Sequence, residues 1–187
     1  MSWLLSAIEE LLPVIGFFVA QRLYGFTPAL VVMTLLVVGL LAFCYGVGRK
    51  VPRFAVASTV VMLLFAVPSA VTGNAVIFQV SDTFINGGFA ILLLGCQAFG
   101  FSVLKYFFER VFAITDEAWR ILSLRWGALF VVLAVLNEVI RRGYSQDAWV
   151  TFKLVSAVAV LLFGCYQFTL SARLRIPGQS NRLGLRI

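Results

Sequence analysis

The chain has no histidine among its 187 residues, only 8 acidic side chains, and a charged fraction of 12%. Without histidine the commonest general base and metal ligand are both missing. The scarcity of acids leaves no paired carboxylates in the long apolar runs, and no Gly-rich phosphate loop accompanies the Ser and Tyr residues, so a catalytic constellation has little to stand on. Cysteine is equally sparse. Cys44, Cys96 and Cys165 fall in three different apolar segments without CxxC spacing, which excludes the usual disulfide and zinc frameworks and leaves small buried hydrophobic groups. Catalytic, cofactor-binding and metal-binding residues are therefore assigned to none of the positions, and no cofactor is expected.

What remains is hydrophobic: 61% of residues and a mean hydropathy of +1.00. A soluble domain carries roughly 25% charged residues, so water cannot be the main solvent. Crossing a hydrocarbon core of about 30 Å takes roughly 20 apolar residues in a helix. Leu23 to Gly48, Phe54 to Ser81, Thr83 to Leu104 and Leu154 to Ala172 each run without Asp, Glu, Lys or Arg. A fifth segment, Ile121 to Ile140, carries Arg125 near one end and Glu138 near the other, where charges can reach the interface. Leu11 to Gln21 is shorter, spanning about 16 Å at helical rise. The expected fold is all-α: a polytopic transmembrane helix bundle forming a single membrane domain over 1–187. It comprises a short N-terminal membrane or interfacial helix (1–24), five full spans (27–172) and a basic cytoplasmic tail (173–187), with six spans as the alternative. Met1-Ser2-Trp3 lacks a basic n-region and Glu9 and Glu10 interrupt the first apolar run, so a cleaved signal peptide is not expected.

Capping residues cut the chain at similar places. Thr27-Pro28 reads as N-cap and N1, Ser81-Asp82 as the start of the third span, Thr115-Asp116-Glu117 as the start of the helix carrying Trp119 and Trp126, and Ser145 to Asp147 as the last start. Arg49, Lys50 and Arg53 group in one connection, Lys105, Arg110, Arg120 and Arg125 in another, and Arg173, Arg175, Arg182 and Arg186 in the tail. The opposite side holds only Arg22, Arg141, Arg142 and Lys153. Positive-inside bias then puts the tail in the cytoplasm, and Thr72 to Ser81, with no basic residue, on the periplasmic side. The net charge of +7 finds its partner in anionic lipid head groups at the cytoplasmic loops. Nucleic acid is not expected, because the basic residues form no single module.

Polar groups inside spans are the default place to look for function, weighed against plain helix packing. Asn86 and Gln97 share a face with Ala90 and Gly100, and Gln167 lies on a face with Lys153, Ala157 and Gly164. These small and polar stripes read as glue between helices or as the lining of a path. Asn137 and Glu138 near one span end, and Trp149 and Lys153 near the next span start, fall at similar depth across a short turn. Glu138 and Lys153 are expected to pair or to share a polar cluster with Asn137. Trp119, Trp126, Trp149 and Tyr144 sit at expected span ends, as an aromatic belt would.

One stretch carries more. Asp116-Glu117-Ala118-Trp119-Arg120, then Leu122, Arg125-Trp126-Gly127, Phe130, Leu133-Ala134-Val135-Leu136-Asn137-Glu138, and Ser145, Asp147, Trp149-Val150 and Phe152-Lys153 together resemble the bacterial intracellular septation protein A family, also called inner membrane-spanning protein YciB. Glu10-Leu11-Leu12-Pro13, Phe17-Phe18 and Asp82-Thr83-Phe84-Ile85 extend the likeness toward both ends. Departures mark a divergent member: Asn86-Gly87-Gly88-Phe89 stands where the family usually carries two lysines and a proline, and Ile121 stands where it commonly has a lysine. The resemblance implies a non-enzymatic bacterial inner-membrane protein supporting envelope integrity and septation through lipids and other inner-membrane proteins of division or envelope synthesis. It brings no catalytic residue or cofactor. Trp119, Arg120, Arg125, Trp126, Asn137, Glu138, Trp149, Phe152 and Lys153 then read as fold determinants or interface positions. A small transporter or channel lined by the faces of Asn86 and Gln97 is the alternative, and a lipid-modifying enzyme built on Glu138 is a third reading.

Overall fold

The computed structural model describes residues 2–47 and 53–186. Arg49 and Lys50 of the first basic connection lie outside these described residues. The architecture is all-α: α1 (Ser2–Tyr24), α2 (Phe26–Gly46), α3 (Arg53–Thr72), α4 (Ala75–Ala98), α5 (Val103–Phe108), α6 (Asp116–Gly143) and α7 (Gln146–Arg173). Among the described residues, extended pairing is confined to three isolated antiparallel bridges. By length and composition α2, α4, α6 and α7 are each able to cross a membrane, and Thr59–Thr72 adds a shorter apolar stretch. The N-terminal helix is longer than its charge-free core suggested. Its 23 residues run through Pro13 without interruption.

The chain divides into two compact units, Met1–Ser81 and Asp82–Ile187. In the first, Gly25 alone separates α1 from α2, so the two helices form a tight hairpin. Phe17 of α1 meets Phe26 of α2 edge-to-face at 5.8 Å, and Phe26 meets Phe78 at 6.2 Å. Ala29 and Leu30 are fully buried beside this aromatic group. The helix start expected at Thr27-Pro28 lies earlier. Gly25 is the N-cap, without a side-chain bond, which puts Thr27 and Pro28 inside the first turn, where a missing proline N–H costs nothing.

A second boundary also moves. The expected loop from Thr72 to Ser81 shrinks to Gly73 and Asn74, and α4 starts at Ala75. Asn74 is the reason: its Oδ1 accepts from the Val76 N–H at 3.0 Å, and its carbonyl accepts from Ser69 Oγ at 2.8 Å. Ser81 and Asp82 therefore sit inside α4, and Ser81 turns its hydroxyl back to the Phe78 carbonyl instead of capping. At its other end α4 stops at Ala98, short of the expected Leu104. Gly100 adopts φ 77, a left-handed conformation that side chains beyond glycine rarely take. The Phe101 N–H reaches the Cys96 carbonyl and the Gly100 N–H the Gln97 carbonyl, the bond pair of a Schellman stop. Gly100 thus leaves the face it was expected to share with Asn86 and Gln97.

In the second unit the expected caps hold. Thr115 accepts from the Ala118 N–H and Ser145 from the Ala148 N–H, opening helices of 28 residues each. At 1.5 Å per residue these are about 42 Å long, so both project beyond a hydrocarbon core and carry their charged ends out of it. Large apolar side chains point away from the protein along α7, with Leu161 and Leu162 both about two-thirds exposed. Lipid is the solvent that makes such a surface stable. The interior is filled by small-into-large packing. The Leu94 side chain lies over Gly127, whose added Cβ would stand 2.5 Å from Leu94 Cδ2. Trp126 meets Phe163 at 5.1 Å and Phe89 stacks on Phe130 at 5.3 Å.

Gly127→Leu is expected to lower stability by about 1–3 kcal/mol, the usual cost of overpacking. Pairing it with Leu94→Ala should recover part of that loss in a thermal-unfolding double-mutant cycle. Independent, additive effects would show that the two positions do not share this space.

Candidate functional site

The turn at Tyr144–Ser145 makes α6 and α7 antiparallel, and their joined ends meet α4 in its N-terminal half in a polar cluster. Asn137 is its hinge and is completely buried. Its Nδ2 donates to Thr83 Oγ1 at 2.9 Å, while its Oδ1 accepts from Trp149 Nε1 at 2.8 Å. Three helices are thereby joined through one amide. Thr83 passes the chain on by donating to Glu138 Oε2 at 3.2 Å. Consecutive helical residues diverge by about 100°, so Asn137 points inward while Glu138 turns to Arg141 and Arg142, both of which donate to its carboxylate. Those are the i+3 and i+4 neighbours that helical geometry puts within reach.

Lys153 takes a different acid. Its ammonium meets Asp82 Oδ1 at 2.7 Å and lies 5.8 Å from the centre of the Trp149 ring. The direct Glu138–Lys153 pair is thus replaced by two separate pairs, joined through Thr83, Asn137 and Trp149 in one cluster. The difference follows from the earlier start of α4, which carries Asp82 into the helix interior and opposite Lys153. Asn86 donates to the Asp82 carbonyl of its own helix. Asp82 Oδ2 is buried and has no hydrogen-bond partner among the described residues.

The remaining motif residues do not join this cluster. Gln167 is buried, accepts from Arg125 Nη1 at 3.2 Å and donates to the Phe163 carbonyl, and Arg125 also lies over the Tyr166 ring. Gln97 is half-buried, with its Oε1 unpartnered among the described residues. Among those residues no hydrogen bond links Asn86, Gln97 and Gln167. Arg120 is exposed and Phe152 half-buried.

The tryptophans also depart from the expected belt. Trp119 and Trp149 are buried, at 4% and 1% exposure, and Trp126 packs among aromatic rings. Only Tyr144, at 67% exposure, fits an interfacial position. The indole N–H explains the burial of Trp149, since Asn137 satisfies it inside the protein. Trp119 instead anchors an apolar core with Ile114, Ala118, Leu122 and Leu170.

That core stands at the opposite end of α6 and α7, where the tail is folded. The Thr115 N–H bonds the Leu174 carbonyl, the Ala113 N–H the Gly184 carbonyl, the Ile176 N–H the Ala113 carbonyl, and the Arg186 N–H the Val111 carbonyl. Asn181 Oδ1 accepts from the backbone N–H groups of Leu183 and Leu185. Nearby, Ser102 and Ser123 share a hydrogen bond at 3.0 Å, and Lys105 pairs with Asp116. Asp82 and Thr83 were named from sequence only as a helix start and in the family likeness, and Arg141 only among the basic residues of one side, none with a place in this cluster, while Ser123 and the tail contacts were not singled out at all. The one available signal was Asp82 itself, an acid flanked on both sides by long uncharged runs.

Among the described residues no group of His, Cys, Asp and Glu side chains could hold a metal ion. The arrangement fastens helices to one another. The family described as Intracellular septation protein A matches residues 5–174. The inner membrane-spanning protein YciB of Nitrobacter hamburgensis is 32% identical over 171 residues, covering 91% of this chain and 86% of that protein. Its namesake from Bradyrhizobium is 33% identical over the same shares of each chain. That of Agrobacterium fabrum is 39% identical over 114 residues, 61% of this chain and 56% of the relative. No solved structure matches.

Asn137→Leu keeps the branched shape of the side chain but removes its polar atoms, leaving Thr83 and the Trp149 indole short of a partner. It should lower stability by about 1–3 kcal/mol, as losses of buried hydrogen bonds do, read as a drop in melting temperature in detergent. An unchanged melting temperature would show that the amide does not hold the helices.

Proposed function

Because the chain belongs to the intracellular septation protein A family, we propose that it is a non-enzymatic, multi-pass inner-membrane protein. In this reading it supports cell-envelope integrity and septation by binding membrane lipids and other inner-membrane proteins of division or envelope synthesis. The observation that carries this is the Thr83–Asn137–Trp149 connection. Its polar atoms are satisfied by one another and join three helices, which suits a scaffold more than a site of turnover. The channel and lipid-modifying alternatives have no comparable observation of their own.

The C terminus is assigned to the cytoplasm. Supporting this, backbone bonds tie residues 111–115 to the tail, so two of the Arg-rich connections lie at one end of α6 and α7. Positive charge concentrated on one side is what the cytoplasmic leaflet attracts.

In a host deleted for its own family member and defective in septation, expression of this chain should restore normal division. Photocrosslinking groups at exposed positions such as Arg120 should capture division or envelope-synthesis proteins of the same membrane. Failure of rescue by a correctly inserted chain would overturn the septation role. A phosphatase inserted after Gly73 should be active and one fused at the C terminus inactive. Activity at both would overturn the sidedness.

A further inference from the structure

We propose that a recess beside the start of α6 binds the head group of a phospholipid that carries both a phosphate and a primary ammonium, the phosphoethanolamine type. Lys105, Glu109, Asp116 and Arg186 line the recess, with Trp119 and Ile176 among its apolar walls, around about 350 Å³. That volume lies within the roughly 300–1,000 Å³ of small-ligand sites. Two cations and two anions face one space.

Their commitments differ. Lys105 is paired with Asp116 and keeps further N–H donors, since an ammonium has three. Glu109 and Arg186 are exposed. Among the described residues, neither side chain makes a hydrogen bond or ion pair. An anionic lipid would satisfy Arg186 and be repelled by Glu109. A zwitterionic head group answers both, its phosphate accepting from Arg186 and Lys105 and its ammonium donating to Glu109, in charge-assisted bonds.

Depth favours a lipid as the source. The recess lies at the start of α6, and the preceding segment exposes Phe99 at 90%, Tyr106 at 68% and Phe107 at 66%. Tyrosine is enriched where hydrocarbon meets head groups, and the exposed Phe99 and Phe107 beside Tyr106 give that lipid an apolar surface to cover. The tail is built to bring Arg186 there. Its N–H bonds the Val111 carbonyl at 2.8 Å. Gly184, at φ 83, passes so close to the Ser171 carbonyl that a Cβ would stand 2.7 Å from it.

This inference rests on the membrane-embedded reading above and deepens its lipid half, independently of any protein partner. The test uses the full chain in nanodiscs of mixed phosphatidylethanolamine, phosphatidylglycerol and phosphatidylcholine, with retained lipid read by native mass spectrometry after mild extraction. Phosphatidylethanolamine should be retained over both others. Glu109→Gln and Arg186→Gln should each reduce that retention about tenfold, the effect of losing one charged hydrogen bond, while Arg22→Gln leaves it unchanged. If Arg186→Gln unsettles the tail, Glu109→Gln, outside the tail, decides alone. Equal retention of the three lipids, preference for phosphatidylglycerol, or insensitivity to Glu109→Gln would overturn the proposal. So would soluble phosphoethanolamine saturating the delipidated protein where the lipid is not retained, since that assigns the recess to a free metabolite. Loss of septation rescue with lipid selectivity intact would strike the septation role alone, and the converse would strike the head-group site alone.

Discussion

Helices in lipid gain little from burying apolar surface against one another, because the surrounding acyl chains are as apolar as leucine. What fixes their arrangement is close packing and the few polar bonds between them. In the second unit that constraint converges on the side chain of Asn137, which holds Thr83 of α4 and Trp149 of α7 from opposite sides of one amide. Its two bonds set the rotation of all three helices. Glu138 is thereby directed to its own Arg141 and Arg142, and Lys153 is brought to Asp82.

The opposite ends of α6 and α7 are held by different physics. There Trp119 and its apolar neighbours form a core, and backbone bonds between residues 111–115 and the tail close over it. This end resembles a small soluble fold placed at a membrane surface, with hydrophobic burial and main-chain bonding both contributing. The basic residues it carries are therefore held in place, and Arg186 is delivered to a defined recess beside Lys105 and Glu109.

Much of the helical plan was legible in the residues. Thr115 and Ser145 open α6 and α7 as capping chemistry requires, because an N-cap depends on three or four consecutive residues and little else. Ser81-Asp82 misled for an instructive reason. The pair looks like a cap, yet Asn74 already captures the Val76 N–H in the first turn of α4, and a residue of capping type inside a helix is free to bond elsewhere. The same shift hid the partner of Lys153. Trp119 and Trp149 were placed at the correct helix ends but with the wrong surroundings, since an indole suits a lipid interface and a buried hydrogen bond equally well.

The residues by themselves determined the solvent, the helical class and the starts of the two longest helices, α6 and α7. Hydropathy and capping are local properties, summed over a turn or a span, and no tertiary contact is needed to evaluate them. Only the tertiary structure decided which charge meets which: Glu138 with two arginines of its own helix, Lys153 with an aspartate 71 positions away, and Arg186 with the recess beside α6. Such pairings depend on helix rotation and on where each helix begins, and a shift of one residue turns a side chain by about 100°. Spacing along the chain cannot fix that angle, whereas the packing of one buried amide can.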